Sequence, residues 1–353
     1  MRGGTSRGPY FQRKDLPEDL DELAQVLISI IGSGHALNID GIGGGAAVTT
    51  KVAMLSASND DWADIDYFFA QVSVQEKLVD FKPSCGNILS GVAPAAIEMG
   101  LIEPKPGCTQ VRIKAVNTGA NIIATVQTPD GITYEGDTVI DGVPGTGSRI
   151  DLQFMDTVGG TTGACLPSRE LQNTFDGIDV TLMDVAMPMM IACAEDFGIT
   201  GYETPEELDT NTDFMQRLEQ VRLKAGAAMG LGDVSESVVP KVGLVAAARH
   251  GGSVTARYFM PWQCHPTMAV TGAQCIASCL ITPGSVAHRY ISEVPTSPAN
   301  VVIEHPIGAI DVVVEFSMLG TEFVPESAGI VRTARKLADG TVYVPNNAWK
   351  SKG

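Results

Sequence analysis

Two residues of this sequence sit where their surroundings could support chemistry. Cys85 stands directly before Gly-Asn at the head of an apolar stretch, "PSCGNILSGVAPAAIEMG", and Lys51 opens an uninterrupted apolar run, "TKVAMLSA". A thiol at a helix start is favoured as thiolate by the free N–H groups and the dipole. Gly86 lets a ligand approach the backbone, and the Asn87 amide both donates and accepts. The plain alternative is a small buried residue, with Gly and Asn serving the turn. A lysine at the mouth of a buried strand can be desolvated and act as a general base; the alternative is a solvated strand end. Lys241 in "VPKVGL" reads the same way, and the residues alone do not choose between the two lysines.

Other stretches offer weaker signals. "RGGTSRG" suits a small anion: its glycines open the backbone, Thr5 and Ser6 bring hydroxyls, and Arg2 and Arg7 bring charge. It also reads as a glycine-rich turn after a first strand. "GIGGGAAV" lacks both the GK[ST] ending and a βαβ setting, which disfavours a nucleotide loop. His265, beside Cys264 and before Pro266, lies on the approach to a second apolar helix; a hydrogen-bonded core histidine is its commoner role. A serine-hydrolase reading is disfavoured: the G-x-S-x-G letters of Gly4–Gly8 lie in a glycine-rich turn and not between a strand and a helix, as a nucleophile elbow requires.

Composition narrows the class. The chain has 353 residues and a formal net charge of −17, which argues against nucleic acid and anionic membrane as partners but leaves a small anionic substrate open. Seven cysteines, an odd number with no CxxC pair, read as reduced thiols. Cys275 and Cys279, near Cys264 and His265, do not complete a zinc set, so no metal is expected. No apolar window reaches the length of a membrane span and no signal segment is visible, so a cytoplasmic protein is expected.

The elements that must hold these residues are mostly strands, among them "KVAMLSAS", "YFFAQVSVQ", "QVRIKAV", "NIIATVQT", "IDVTLMDV", "KVGLVAAA", "VVIEHP" and "IDVVVEFS". Helices are predicted over "LPEDLDELAQVLISIIG", "TPEELDTNTDFMQRLEQVRLKAGAAMG", "CGNILSGVAPAAIEMG" and "TGAQCIASCLI"; the last two are apolar nearly all round and so buried. Strands in hairpin-like succession around buried helices imply an α+β class. The sequence also echoes itself: each half runs strand, turn, strand, then a buried helix whose first turn is Cys85-Gly86-Asn87 or Thr271-Gly272-Ala273. Two pseudo-equivalent domains follow, 1–150 carrying Lys51 and Cys85, and 151–330 carrying Thr271 and Gly272. A C-terminal segment, 331–353, is free to return to the first.

Taken together, "MRGGTSRG", "IDGIGG", "TKVAMLSAS", "SCGNILSGVAP", "DGVPG", "CAEDFGITGYE", "LGDVSESVVPK", "CHPTMAVTGA" and "IVRTARKL" resemble the PrpF-type isomerases, nearest the 4-oxalomesaconate branch. The resemblance implies a diaminopimelate-epimerase-like fold, two α+β domains each wrapped around a central helix, with the active site in the cleft between them. It implies proton transfer without cofactor or metal, on a small anionic tricarboxylate, and allows a homodimer. It selects Lys51 over Lys241 as the partner of Cys85. The position matching Cys85 in the second half is Thr271, so a two-thiol mechanism is not available. Thr5, Ser6, Arg7, Gly86, Asn87, His265, Thr271 and Gly272 are the substrate-binding residues expected on this basis. Isomerisation of 2-methylaconitate or aconitate is the alternative within the class, and a non-catalytic organic-acid binder the alternative outside it.

Overall fold

The structure, a computed structural model, describes residues 1–155, 157–319 and 322–349. The chain divides into two compact units, Met1–Leu152 with Arg332–Gly353, and Gln153–Val331. Both are α+β, as the strand-rich sequence requires.

The first unit opens with a hairpin of β1 (Arg2–Gly3) and β2 (Ser6–Arg7), then β3 (Tyr10–Gln12) and α1 (Leu20–Ile31). The Asp19 carboxylate accepts from the backbone N–H groups of Asp21 and Glu22, and Gly32 ends α1 in the left-handed conformation. There follow β4 (Lys51–Ala57), β5 (Ile65–Val72), β6 (Val79–Asp80), α2 (Gly86–Leu89), α3 (Val92–Glu98), β7 (Gly107–Ala115) and β8 (Asn121–Thr128). The sheet order is β3-β4-β5-β7-β8, with β3 parallel to β4, β4 antiparallel to β5, β5 parallel to β7 and β7 antiparallel to β8. Leu23, Val26, Leu27, Ile30 and Ile31 of α1 pack on Val52, Met54, Ala70 and Val72, and Val342, Val344 and Trp349 join this core. Since β4 alternates faces, Lys51, Ala53 and Leu55 lie on the opposite face, where α2 and α3 pack.

β9 (Ile150–Phe154) carries the chain past the boundary. The second unit holds β10 (Asn173–Phe175), β11 (Ile178–Asp184), β12 (Pro188–Cys193), α4 (Pro205–Thr210), α5 (Thr212–Ala228), β13 (Lys241–Ala246) and β14 (Val254–Phe259). It continues with α6 (Val270–Ile281), β15 (Ala299–His305), β16 (Gly308–Leu319) and β17 (Glu322–Arg332), and the chain then re-enters the first unit as β18 (Ala334–Arg335). Here β12 is parallel to β13, β13 antiparallel to β14, β14 parallel to β15 and β15 antiparallel to β16. That is the pairing pattern of β3, β4, β5, β7 and β8, so the echo in sequence is an echo in topology. From Gly272 to Ile281 every residue of α6 is buried, as an all-round apolar helix must be.

Two helices differ from their sequence readings. "CGNILSGVAPAAIEMG" forms two short helices, because Pro94 has no N–H to give the Ser90 carbonyl and Ile88 O is taken by Gly91 N at 3.0 Å and the Tyr10 hydroxyl at 2.6 Å. The long acidic-to-basic helix is broken at Asn211, whose side chain accepts from Phe214 N and starts α5 afresh. Strands β9, β12 and β17 escaped the sequence reading.

Candidate active site

Lys51 is the first residue of β4, and its Nζ donates to Cys85 Sγ at 3.1 Å. Cys85 is only 9% exposed and sits at the N-cap of α2. That helix is a single turn, so its dipole is far weaker than the sequence reading of one continuous helix implied. What acts on the thiol most directly is the lysine head group.

The β1–β2 hairpin lies against this pair. Asn87 Oδ1 accepts from Thr5 N at 3.2 Å, which ties the hairpin turn to the residue two beyond the cysteine. Thr333 O accepts from Gly4 N at 2.9 Å and from the Arg2 guanidinium at 2.9 Å, while Arg2 Nη2 reaches Thr333 Oγ1 at 3.0 Å. Arg2 is thus spent on the hairpin and is no free anion ligand, a correction to the sequence reading. Arg7, paired with Arg2 across the hairpin, is exposed. Ser6 is 2% exposed, and its Oγ has no hydrogen-bond partner among the described residues. A buried hydroxyl left without a partner costs about 1–3 kcal/mol, so Ser6 holds unused hydrogen-bonding capacity in the hairpin. Gly8 passes so close to β4 that a Cβ there would stand 1.7 Å from Lys51 O. Thr5, Ser6, Arg7, Lys51, Cys85, Gly86 and Asn87 are therefore assembled in one unit by one hairpin, one strand and one helix start. A cavity of about 500 Å³ in the same unit touches the hairpin at Arg7 and Gly8, but neither Lys51 nor Cys85 lines it.

In the second unit, His265, Thr271 and Gly272 gather around Tyr258. The ring of His265 meets that of Tyr258 edge-on with centroids 5.8 Å apart, and its Nδ1 accepts from Thr267 N at 3.0 Å. Burial pushes the imidazole pKa below its usual value. Gly272 lies against Tyr258 so tightly that a Cβ would stand 2.5 Å from the ring. Tyr258 and Thr271 hydroxyls both point to Met187 Sδ, at 3.3 and 3.5 Å. Lys241 opens β13 as Lys51 opens β4; burial, and then the charge of Arg222, lower its pKa. Unlike Lys51, it donates to no thiol among the described residues.

The sequence reading passed over Tyr258, Met187 and Tyr67. Tyr67 and Tyr258 each occupy an inward position of a strand, where a phenol needs a hydrogen-bond partner; that was the available signal. All seven cysteines are free thiols, and among the described residues no group of three or more His, Cys, Asp and Glu could hold a metal ion. Among them, too, no helix is long and apolar enough to cross a membrane.

Residues 1–345 match the model of the PrpF protein family. The 4-oxalomesaconate tautomerase of Pseudomonas putida KT2440 is 44% identical over 99% of this chain and 96% of its own length. The (4E)-oxalomesaconate Delta-isomerase of Novosphingobium sp. KA1 is 45% identical over 98% of this chain and 96% of its own. Among solved structures, that of a methylitaconate-delta-isomerase superposes with a TM-score of 0.88 at 31% identity, covering 100% of this chain and 97% of that one. With relatives of this kind matched along nearly its whole length, the chain belongs to the PrpF protein family and is an isomerase.

Proposed function

We propose that this isomerase moves one proton across a three-carbon unit of an unsaturated tricarboxylate of the 4-oxalomesaconate type, in the breakdown of aromatic compounds. The observation that carries the reading is the 3.1 Å approach of Lys51 Nζ to Cys85 Sγ. The relatives named for 4-oxalomesaconate support the choice of substrate.

A C–H allylic to a double bond conjugated with a carbonyl is acidified. Lys51, as the free amine, takes that proton; the C–H electron pair enters the conjugated system and yields a dienolate. Negative charge spreads to the keto and carboxylate oxygens, where donors of the hairpin and of the α2 start, Thr5, Ser6, Gly86 and Asn87, stabilise it. Arg7 adds cationic charge for a carboxylate. The proton returns at the far carbon, from Lys51 or from the Cys85 thiol, and the double bond has moved by one position. The parts assigned to His265, Thr271 and Gly272 in substrate contact rest on the family resemblance; Thr271→Val is expected to raise KM.

Proton NMR of 4-oxalomesaconate with the enzyme in D₂O tests the reading. Deuterium entering one end of the three-carbon unit while the double bond relocates supports it. Exchange only with 2-methylaconitate or aconitate keeps the chemistry and moves the substrate. Silence with all three in folded protein overturns it in favour of a non-catalytic organic-acid binder.

A further inference from the structure

Cys85 is gripped twice from one face of one strand pair. Lys51 of β4 reaches its sulfur at 3.1 Å, and Tyr67 of β5 donates its hydroxyl to the Cys85 carbonyl at 3.3 Å. The two donors share a sheet face because Lys51 pairs with Gln71 and Leu55 with Tyr67 across β4 and β5, and positions two apart point the same way. Tyr67 is wholly buried. Burial, and then the proximity of Cys85, push its pKa well up, so it remains a donor throughout the working range.

The carbonyl it holds needs holding. Helix α2 has four residues, and a single turn is not stable by itself. Cys85 O receives Leu89 N at 2.8 Å as the turn's opening bond, and the Tyr67 hydroxyl is its second donor. Tyr10 serves the other end, donating to Ile88 O at 2.6 Å. Without such anchors the direction of the Cys85 side chain would follow the fraying of one turn.

We infer that Tyr67 is a positioning residue of the isomerase reaction: through the Cys85 carbonyl it fixes the sulfur in register with Lys51 Nζ on the same sheet face. The inference rests on the proposed reading for its kinetic half only. Tyr67→Phe keeps the ring that fills the core and removes the hydroxyl alone. It is expected to lower kcat roughly five- to tenfold, the weight of one neutral hydrogen bond, with KM little changed. Independently of turnover, it is expected to change the rate of Cys85 alkylation by iodoacetamide, read by peptide mass spectrometry against the exposed Cys108 as internal reference.

A variant with wild-type Cys85 alkylation and wild-type kcat overturns the inference. So does one that merely melts lower, or fails to fold, with no selective change at Cys85, since the hydroxyl would then serve only the fold. If the wild type turns over none of the three candidate acids, the proposed substrate class fails, while the alkylation ratio still judges Tyr67.

Discussion

Lys51 Nζ lies 3.1 Å from Cys85 Sγ, although 34 residues of chain separate them. Each is the first residue of its element or the cap just before it, so both head groups stand at the open ends of packed structure. The pair differs in what each member can do. An amine can take a proton from carbon and return it, whereas the thiol's contribution to the same shift is replaceable by the returning ammonium. Lys51→Met is therefore expected to lower kcat by about 10²–10⁴, the usual range for a general base, and Cys85→Ser by less. Steady-state kinetics on both variants decide the ranking. Activity surviving in Lys51→Met but lost in Cys85→Ser would reverse the assigned roles.

Gly8 ties the β1–β2 hairpin to the strand of the lysine. With a Cβ 1.7 Å from Lys51 O, Gly8→Ala must shift either the hairpin or the start of β4. Overpacking of this kind costs about 1–3 kcal/mol. The variant is expected to melt lower and to lose activity well beyond what the drop in folded fraction explains. Equal losses in melting and activity would mean that the contact matters for folding alone.

Glu304 gives a pH prediction away from the lysine and thiol. Its carboxylate accepts from the backbone of Arg249, His250 and Gly252 at 2.6–2.9 Å and from the Thr255 hydroxyl at 2.7 Å. Burial pushes its pKa up, but these donors together outweigh it and bring the value down to about 2. A depressed folded pKa gives stability that is complete above the unfolded value of about 4.3 and drains away as pH falls toward 2. Melting curves of Glu304→Gln should lie below wild type at neutral pH and converge on it between those limits. Parallel curves throughout would show that the carboxylate's charge contributes nothing.

Arg222 tests the second unit. Its side chain is fully buried, its Nε and Nη2 hold Glu219 at 2.6 and 2.8 Å, and its remaining donors reach the carbonyls of Val234, Ser237 and Val239. Arg222→Met takes this donor from the Glu219 carboxylate and from the Ser237 and Val239 carbonyls, while Val234 O keeps Ser237 N at 3.0 Å, a loss of about 3–5 kcal/mol. Chemical denaturation should show it as a lower midpoint with an unchanged slope. A midpoint within error of wild type would mean that water replaces the guanidinium.

Much of this is legible in the amino-acid sequence. Lys51 and the β4 run after it were legible because a polar residue at the edge of an apolar run marks a strand mouth. The α+β class followed from the count and order of such runs. Strand β12, "PMMIAC", was not legible, since all six residues are buried and a strand buried on both faces shows no alternation. The break between α2 and α3 was signalled by Pro94, but the deciding bond comes from Tyr10, far away in sequence. The same holds for Tyr67: a side chain that donates to a distant backbone carbonyl leaves no periodic trace. Arg2 was misread because its partner, Thr333, lies at the other end of the chain.

That last contact has a consequence for how the protein is made. β1 pairs with β18, Arg2 opposite Arg335 and Gly3 opposite Ala334, so the hairpin bearing Thr5 and Ser6 is completed by residues more than three hundred positions later. At the usual elongation rate of about 5–20 residues per second, this delay is on the order of tens of seconds. During that time Arg2 and Gly3 wait without their sheet partner. A nascent chain arrested before Thr333 would carry Lys51 and Cys85 but not the finished hairpin. Synthesis of Thr333 to Arg335, rather than of Lys51 and Cys85, then sets the moment at which the hairpin is complete.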